Sequence, residues 1–255
     1  MKKLVIAAVA LAFWGACQKS APKEAVIVTY NVGVFSKYGE NSMGAVSATI
    51  KNSGAVIASL NELDSCNRRH ATFQLKDFAD TLGGWDYHFA RAFGYAGGAY
   101  GNGVVSKSPI LKRWALTLPK GEGSEQRSMA VVETEDMVFG SVHLDHKSEN
   151  AQIAQVRLIK DWFTANFKDY AKPVIIAGDL NALPRSTTLE ALSQAFEILS
   201  IEDNTYSTEN PRKCIDYILA FKNAKPVKVL SSWVITKGTE EASDHFPLQV
   251  KISWE

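Results

Sequence analysis

Apolar residues of this chain fall into short runs that are separated by polar segments. Several runs are nearly continuous, which is typical of strands in a sheet that is covered on both faces. Their lengths also fit strands better than helices. We therefore predict strands at residues 26–30, 56–60, 129–134, 138–144, 174–177, 215–221, 227–235 and 248–254.

Helical periodicity is clearest at residues 149–167, where apolar side chains recur at helical spacing. A second helix is predicted over residues 69–82, and Ser186 is predicted to cap a third. The short segment between the predicted strands 129–134 and 138–144 indicates a hairpin. The pattern predicts a mixed α/β domain with much antiparallel sheet and no repeated βαβ unit.

The beginning of the chain has the pattern of an export signal. Lys2 and Lys3 precede an uncharged apolar run at residues 4–13, which is shorter than the ~20 apolar residues that a transmembrane helix needs. We predict a signal peptide at residues 1–16, a short tether at 17–24 and one domain at 25–255. Cys17 follows two small residues and resembles the lipidated cysteine of a bacterial lipoprotein; the alternative is an ordinary cleaved signal.

The charge balance and the cysteine content exclude few classes of function. Lys and Arg number 28 against 27 Asp and Glu, so the chain lacks the basic excess of tight nucleic-acid binders. This disfavours a nuclease without excluding it. Cys66 and Cys214 either pair in an oxidising compartment or remain two small buried residues.

Polar side chains follow the predicted strands at the points where the strands end. Asn31, Glu62 and His143 each follow an apolar run, as do Asp179 and Asn181 after another. Loops at strand ends are where rigid scaffolds commonly present functional groups. Near the carboxyl end, Asp216 lies within an apolar run, and Asp244 and His245 precede the last one.

Each of these residues has a structural interpretation when it is taken alone. Asp179 and Asn181 are common turn formers, Glu62 is compatible with a solvated surface position, and a lone histidine such as His143 is more often structural than catalytic. Asp216 is compatible with a cap or a structural ion pair. The whole set, at five separate strand ends, favours one phosphoryl-transfer site.

The same residues form motifs that resemble those of the endonuclease/exonuclease/phosphatase family, in that family's order. The resemblance implies a fold in which two mixed, largely antiparallel β-sheets pack face to face with helices on the outer faces. It also implies metal-dependent hydrolysis of phosphate esters, for substrates that range from nucleic acids to lipids. The motifs are Tyr30-Asn31, Leu60-Asn61-Glu62, Tyr100-Gly101-Asn102-Gly103, Ser141-Val142-His143-Leu144, Gly178-Asp179-Leu180-Asn181, Ile215-Asp216-Tyr217-Ile218 and Ser243-Asp244-His245-Phe246-Pro247.

A metal site is implied at Glu62, with the Asn31 side-chain oxygen beside it and Asp244 as a second carboxylate. Carboxylate and amide oxygens suit Mg²⁺ or Mn²⁺. Asn102, Arg91 and Arg127 are candidate substrate contacts, although a surface salt bridge is an equally good explanation for each arginine.

Catalytic roles follow from the needs of phosphate ester hydrolysis. Asp179 would orient and deprotonate water, while Asn181 would donate to the developing negative charge. His245, oriented by Asp216, and His143 would donate to the phosphate. Whether Asp179 or the His245-Asp216 pair is the base stays open, and His146 is left outside the predicted set.

We therefore expect a monomeric hydrolase that cleaves a small-molecule or lipid phosphodiester or phosphomonoester outside the cytoplasm and is anchored to a membrane through Cys17. An exported nuclease is the alternative. A surface lipoprotein that only binds a ligand is a less favoured possibility, because Asp179, Asn181 and His245 are all present.

Overall fold

The computed structural model describes residues 21–39 and 41–255. The predicted signal peptide, Cys17 and the first half of the predicted tether lie outside the described residues. The first strand, Lys23–Asn31, begins just before the predicted start of the domain at residue 25. In the part of the chain that is described, no helix is both long enough and apolar enough to cross a membrane.

The chain forms short strands and a few helices. The helices are α1 (Met43–Asn52), α2 (Gln74–Thr81), α3 (Glu149–Phe167) and α4 (Thr187–Ser193). The strands are β1 (Lys23–Asn31), β2 (Ile57–Ser65), β3 (Asp86–Tyr95), β4 (Gly98–Ser106), β5 (Lys112–Leu118), β6 (Arg127–Glu133), β7 (Val138–His143), β8 (Val174–Asp179), β9 (Phe196–Ile198), β10 (Asp216–Phe221), β11 (Lys228–Val234) and β12 (Leu248–Trp254).

These strands form two six-stranded sheets. The first has the order β11-β12-β1-β2-β4-β3, and the second has the order β5-β6-β7-β8-β10-β9. The pairs β1–β2 and β7–β8 are parallel, and the other described pairs are antiparallel. The sheets are therefore mixed and largely antiparallel, as predicted.

The inner faces of the two sheets bury one apolar cluster, to which Ile27 and Val250 contribute from the first sheet and Phe139 and Ile175 from the second. A hydrogen bond from Ser59 Oγ to Ser141 Oγ (2.8 Å) also joins the sheets. Helices α1 and α2 cover the outer face of the first sheet, and α3 and α4 cover that of the second. Burying both faces of each sheet explains the continuous apolar runs, and the predicted sandwich fold is confirmed.

Most predicted elements are confirmed. The structure has strands at each predicted run and a helix at Glu149–Phe167. The Ser186 hydroxyl accepts a hydrogen bond from the Leu189 N–H at the start of α4, as expected of an N-cap. The predicted hairpin is formed by β6 and β7.

One predicted helix begins too early, and several elements were not predicted. Helix α2 starts at Gln74 and not at residue 69. Arg69 and His70 lie in the loop before the helix, because their side chains bind the carboxylate of Asp64 on β2. The elements that the sequence pattern did not indicate are α1, β3, β4, β5 and β9.

The two cysteines of the domain do not form a disulfide. Both are free: Cys66 is exposed and Cys214 is buried. The predicted alternative of a Cys66–Cys214 disulfide is therefore not observed. The other alternative, two small buried residues, holds for Cys214 but not for Cys66.

Candidate active site

The predicted site residues meet because strand ends from both sheets share one edge of the sandwich. Parallel strands β1 and β2 place Asn31 beside Asn61, and parallel strands β7 and β8 place His143 beside Asp179. Strand β10 runs in the opposite direction and begins with Asp216, which lies opposite Asp179. The functional groups of two sheets are thus brought to one place.

The Asn61 side chain links the two sheets at this edge. Its amide nitrogen donates to the Val142 carbonyl (3.0 Å), and its oxygen accepts from the Asp179 N–H (2.9 Å). Asn61 is fully buried. Its contacts are to the backbone, so it fixes the position of β8 and of the Asp179 main chain.

A β-bulge places Glu62 in the site. The register between β2 and β4 shifts between Leu60 and Leu63, and Glu62 has a φ of +60°. Bulges redirect side chains, and a positive φ is uncommon for a residue other than glycine. Asn181 has a similar φ of +49°. Such strained positions cluster at functional sites, which is consistent with a functional role for both residues.

A cavity of about 350 Å³ opens at this edge and contains most of the predicted residues. Asn31 and Asp216 lie directly behind it, hydrogen-bonded to Asp179 and His245 respectively. We name this space the catalytic cavity. It is lined by Lys37, Glu62, Tyr100, Glu125, Arg127, His143, His146, Asp179, Asn181, Tyr206, Lys213, Ile215, Asp244 and His245.

Asp179 lies at the centre of the contacts. Its Oδ2 accepts from Asn31 Nδ2 (3.1 Å) and lies 3.4 Å from His143 Nε2 and 3.6 Å from His245 Nε2. Its Oδ1 accepts from the Asn181 N–H at 2.9 Å. Burial raises the pKa of Asp179 to about 7, against the opposing effect of the His245 charge. A carboxylate with a raised pKa is a stronger base.

His245 is held by Asp216. The His245 Nδ1–H donates to Asp216 Oδ2 (2.8 Å), and the same oxygen accepts from Thr205 Oγ1 (2.6 Å). Burial by itself lowers the pKa of His245, but the carboxylates of Asp216 and Asp179 raise it to about 10. The ring is therefore an imidazolium at neutral pH, with its Nε2–H free to donate into the catalytic cavity.

His143 has the opposite charge preference. Burial lowers its pKa well below the usual value, and the positive charges of Arg127 and His245 act in the same direction. His143 Nδ1 has no hydrogen-bond partner among the described residues. We therefore expect a neutral ring that carries its proton on Nε2, facing Asp179.

Glu62 and Asp244 place carboxylate oxygens in the cavity wall, and Asn31 lies behind them. Glu62 Oε1 accepts from Asn31 Nδ2 (3.1 Å), and Asp244 Oδ2 pairs with Lys37 Nζ (3.0 Å). Burial opposes the charge of Lys37, but Glu62 and Asp244 raise its pKa. A cationic group thus already pairs with Asp244, and the charge of Glu62 adds to its stabilisation, so this part of the site stabilises positive charge.

Within the described ranges, the one group of three acidic or histidine side chains with ligand atoms within 4.8 Å is Asp179, Asp216 and His245. Asp216 and His245 already bind each other, and Mg²⁺ prefers oxygen ligands to imidazole. The predicted metal ligands Glu62 and Asp244 lie outside this group. Asn31 faces Glu62 with its amide nitrogen, while its Oδ1 accepts from the Gly33 N–H (3.2 Å). The amide must therefore rotate by half a turn before its oxygen can bind a cation beside Glu62.

The three predicted substrate contacts have different positions. Arg127 lines the cavity, is 3% exposed, and donates to His146 Nδ1 (2.9 Å). Asn102 is buried and donates to the Ser128 carbonyl (2.7 Å). Its contacts are with the backbone and not with the cavity. Arg91 is exposed on β3 with its guanidinium beside Gly94, and it does not line the catalytic cavity.

Seven cavity residues were absent from the predicted set of site residues, namely Lys37, Tyr100, Glu125, His146, Tyr206, Lys213 and Ile215. His146 follows His143 closely in sequence, and that proximity was a usable signal. Lys37, Tyr206 and Lys213 carry no motif, because they reach the site only through the fold. The Tyr206 ring packs against the His245 ring, with centroids 4.8 Å apart.

The sandwich and the residues at its edge define a phosphoesterase fold. The sequence profile described as the Endonuclease/Exonuclease/phosphatase family matches residues 28–245. The chain belongs to this family, whose members are hydrolases acting on phosphate esters. No curated protein sequence matches the chain significantly.

Solved structures show the same fold. An endonuclease/exonuclease/phosphatase from Beutenbergia cavernae is 19% identical with a TM-score of 0.74, over 91% of this chain and 72% of that one. A mannosyl-6-phosphatase from Bacteroides thetaiotaomicron is 17% identical with a TM-score of 0.73, over 89% and 99%. ANGEL2, a 2′,3′-cyclic phosphatase, is 11% identical with a TM-score of 0.70, over 91% and 95%.

Proposed function

We propose that this chain is a divalent-metal-dependent hydrolase that cleaves a phosphate ester by attack of an activated water. One observation carries the proposal: a buried carboxylate, Asp179, lies within 3.6 Å of His143, His245 and Asn31 in a cavity that also holds Glu62 and Asp244. Such a set of positioned acid, base and donor groups is what phosphoryl transfer requires.

The residues fit Mg²⁺ or Mn²⁺. Glu62, Asp244 and Asn31 offer hard oxygen donors, and the site already attracts the Lys37 ammonium. A bound cation would neutralise charge on the non-bridging oxygens and on the leaving oxygen. Because Mg²⁺ commonly keeps several waters, two or three protein ligands are sufficient.

Asp179 is the better of the two candidate bases. Its pKa is raised by burial, whereas His245 is an imidazolium at neutral pH and has no free lone pair to accept a proton. Asp179 would orient the water and take its proton. His245 would donate its Nε2–H to a phosphate oxygen, and Asp216 keeps the ring charged and correctly turned.

Neighbouring donors complete the phosphate site. Neutral His143 presents Nε2–H beside Asp179, and Arg127 and His146 line the same cavity as a hydrogen-bonded pair. The Asn181 amide donates to the Leu144 carbonyl (3.2 Å), which fixes its position at the cavity wall. These groups would stabilise the charge that develops on the phosphate.

The substrate is proposed to be a small or lipid phosphate ester that is met outside the cytoplasm. Balanced charge disfavours a long polyanion. The amino-terminal pattern of Lys2, Lys3 and an apolar run ahead of Cys17 supports export and a lipid anchor. Two solved relatives of the same fold are described as phosphatases of a mannosyl 6-phosphate and of 2′,3′-cyclic phosphates.

Hydrolysis of bis-p-nitrophenyl phosphate and p-nitrophenyl phosphate, each with Mg²⁺, Mn²⁺ or EDTA, tests the reaction. We expect metal-dependent release of nitrophenol that falls about 10²- to 10⁴-fold in Asp179→Asn and in His245→Gln, because each removes one positioned catalytic group. Asp161→Asn, at an exposed position on α3, is the matched control. Activity that is equal in wild type and Asp179→Asn would overturn the proposal.

The anchor has a separate test. Cells that express the full chain or Cys17→Ala are labelled with a palmitate analogue and fractionated. We expect the wild-type chain to carry label and to sediment with membranes, and Cys17→Ala to lose both properties. An unlabelled, soluble wild-type chain would contradict the anchor while leaving the proposed hydrolysis intact.

A further inference from the structure

A second cavity of about 450 Å³ adjoins the catalytic cavity and shares Lys37, Glu62, Tyr100 and Glu125 with it. Its remaining wall contains Arg69, Phe93 and Tyr95. We name this space the aromatic recess. Its size is within the range of small-molecule sites, about 300–1,000 Å³, and Glu62 lies at the boundary between the two spaces.

The aromatic side chains of the recess form one continuous surface. Phe93 contacts Tyr100 with ring centroids 5.1 Å apart at 38°, and it contacts Tyr95 edge to face at 6.4 Å. Strand pairing sets this arrangement, because a register shift in β3 places Phe93 directly opposite Tyr100 on β4. The surface is therefore built before any ligand arrives.

Arg69 extends this surface with a planar group. Its guanidinium donates two hydrogen bonds to the buried Asp64 carboxylate (2.7 and 2.9 Å). It lies 4.6 Å from the centre of the Tyr95 ring. Asp64 balances the charge of Arg69 and fixes its plane, so the guanidinium acts here as a rigid stacking surface more than as a free cation.

These features describe a site for a planar ring. Aromatic side chains and arginine planes are the groups on which planar unsaturated rings stack. Phe93 and Tyr95 offer carbon surface that favours a planar ring, and Ser36 and Glu125 in the same wall are polar partners for the hydroxyls of an attached sugar. The chain has no basic excess for a polymer.

Resting on the proposed function, we propose that the aromatic recess binds the leaving group of the substrate, an alcohol that carries a planar unsaturated ring, while the phosphate occupies the catalytic cavity. The substrate would then be a small ester of the kind represented by a nucleoside monophosphate. Tyr100 lines both cavities and would contact the part of the substrate between ring and phosphate.

Adenosine 5′-monophosphate and ribose 5-phosphate are a matched pair of probes, because they share the phosphate and the primary alcohol and differ by the base. Their affinities for the full chain are compared by calorimetry. We expect adenosine monophosphate to bind about tenfold more tightly or better, as stacking of one base on aromatic side chains gives. Equal affinities would overturn the proposal.

Variants identify the surface responsible. Tyr95→Ala and Phe93→Ala are expected to reduce the affinity ratio to about twofold or less, and Tyr95→Phe, which keeps the ring, is expected to retain it. Trp233→Ala, which removes an exposed aromatic ring on β11 outside the recess, should leave the ratio unchanged. A ratio that persists in both alanine variants would overturn the assignment, with melting temperatures confirming that each variant is folded.

Two further readouts keep this inference separate from the hydrolysis. Metal-dependent hydrolysis of nitrophenyl esters without the binding preference would overturn the recess alone, whereas the preference without any hydrolysis would overturn the proposed function alone. A short single-stranded oligonucleotide is included as a third probe. Much tighter, strongly salt-dependent binding of that strand would contradict a small-molecule substrate.

Discussion

Burial and neighbouring charges set the protonation of the central residues in opposite directions. The pKa of Asp179 is raised and that of His143 is lowered mainly by burial, while Asp216 and Asp179 overcome burial and raise the pKa of His245. One cavity thus holds a carboxylate with a raised pKa (Asp179), a neutral imidazole (His143) and a cationic imidazole (His245). This separation of roles depends on Asp216, whose carboxylate binds the His245 ring away from the cavity.

Replacing Asp216 therefore tests, at the scale of one residue, whether this carboxylate keeps the His245 ring charged and oriented. In Asp216→Asn the ring loses its charge partner and its fixed tautomer, and we expect kcat to fall about 10²-fold or more with little change in KM. Steady-state kinetics with an aryl phosphodiester and Mg²⁺ measure this, with Asp161→Asn as the control. A loss below about threefold would contradict the role of Asp216.

The sequence motifs indicated Asp179, His245, Asp216 and Glu62, which the fold brings together, because each lies within or beside a recognisable apolar run. They were insufficient for Lys37 and Tyr206, which reach the catalytic cavity from loops whose paths no local pattern encodes. Arg91 was predicted as a substrate contact, and the structure places its side chain beside Gly94 on the exposed surface of β3, outside the lining of the catalytic cavity.

At the scale of elements, strands with a continuous apolar run were predictable, and strands that lack such a run were not. Continuous apolar runs gave β7 and β8, whereas β3 and β4 combine aromatic residues with glycines that the pattern left unassigned. Gly98 is required there, because a Cβ would lie 2.2 Å from the Ser65 carbonyl oxygen. The bulge at Glu62 depends equally on pairing with a partner strand, which a single strand's sequence does not specify.

Gly178 tests how tightly β7 and β8 hold the catalytic edge. A Cβ at this residue would lie 1.7 Å from the Val142 carbonyl oxygen, so Gly178→Ala must separate two paired strands. We expect the free energy of unfolding to fall by more than about 2 kcal/mol. Gly44→Ala on α1 meets no atom within 4 Å, and this control should be neutral or stabilising by up to about 1 kcal/mol in urea unfolding. Equal stability of the two variants would contradict the close approach.

Glu133, the last residue of β6, links neighbouring segments of the second sheet through two ion pairs and a hydrogen bond. Its carboxylate binds Lys172 (2.8 Å), Tyr170 (2.7 Å) and Lys112 (2.9 Å). Burial opposes ionisation, but these three partners lower the pKa of Glu133 to about 2. Because the folded-state pKa is depressed, the stabilisation is present above the unfolded value and is lost as the pH falls toward about 2.

Glu133→Gln is accordingly expected to lower the free energy of unfolding by about 1–2 kcal/mol at neutral pH. This value is smaller than the pKa shift alone implies, because Lys112 and Lys172 are partly exposed and solvent screens their charges. The difference from wild type should shrink as the pH falls below about 4.5. Urea unfolding across this pH range measures it, with the exposed Glu197→Gln on β9 as the control. A difference that stays constant with pH would contradict the ionic contribution of Glu133.

For the whole molecule, the fold explains why residues far apart in sequence act together. The two sheets place parallel strand ends at one edge, Asn61 joins them there, and the helices cover the outer faces. The family resemblance predicted this sandwich correctly. The catalytic cavity then forms where strand ends and loops of both sheets meet, and the adjoining aromatic recess takes its aromatic surface from β3 and β4. Such peripheral segments carry the features by which members of one fold differ in substrate.

The proposed hydrolysis depends most on a divalent cation, which Glu62 would hold in the catalytic cavity. Phosphodiester hydrolysis is measured as Mn²⁺ is titrated into metal-free wild type and Glu62→Gln, with Glu197→Gln as the control. We predict no activity in EDTA, saturable activation of wild type and of the control, and a Mn²⁺ requirement raised about tenfold or more in Glu62→Gln. Undiminished hydrolysis in EDTA, or the same Mn²⁺ requirement in all three proteins, would contradict the metal site.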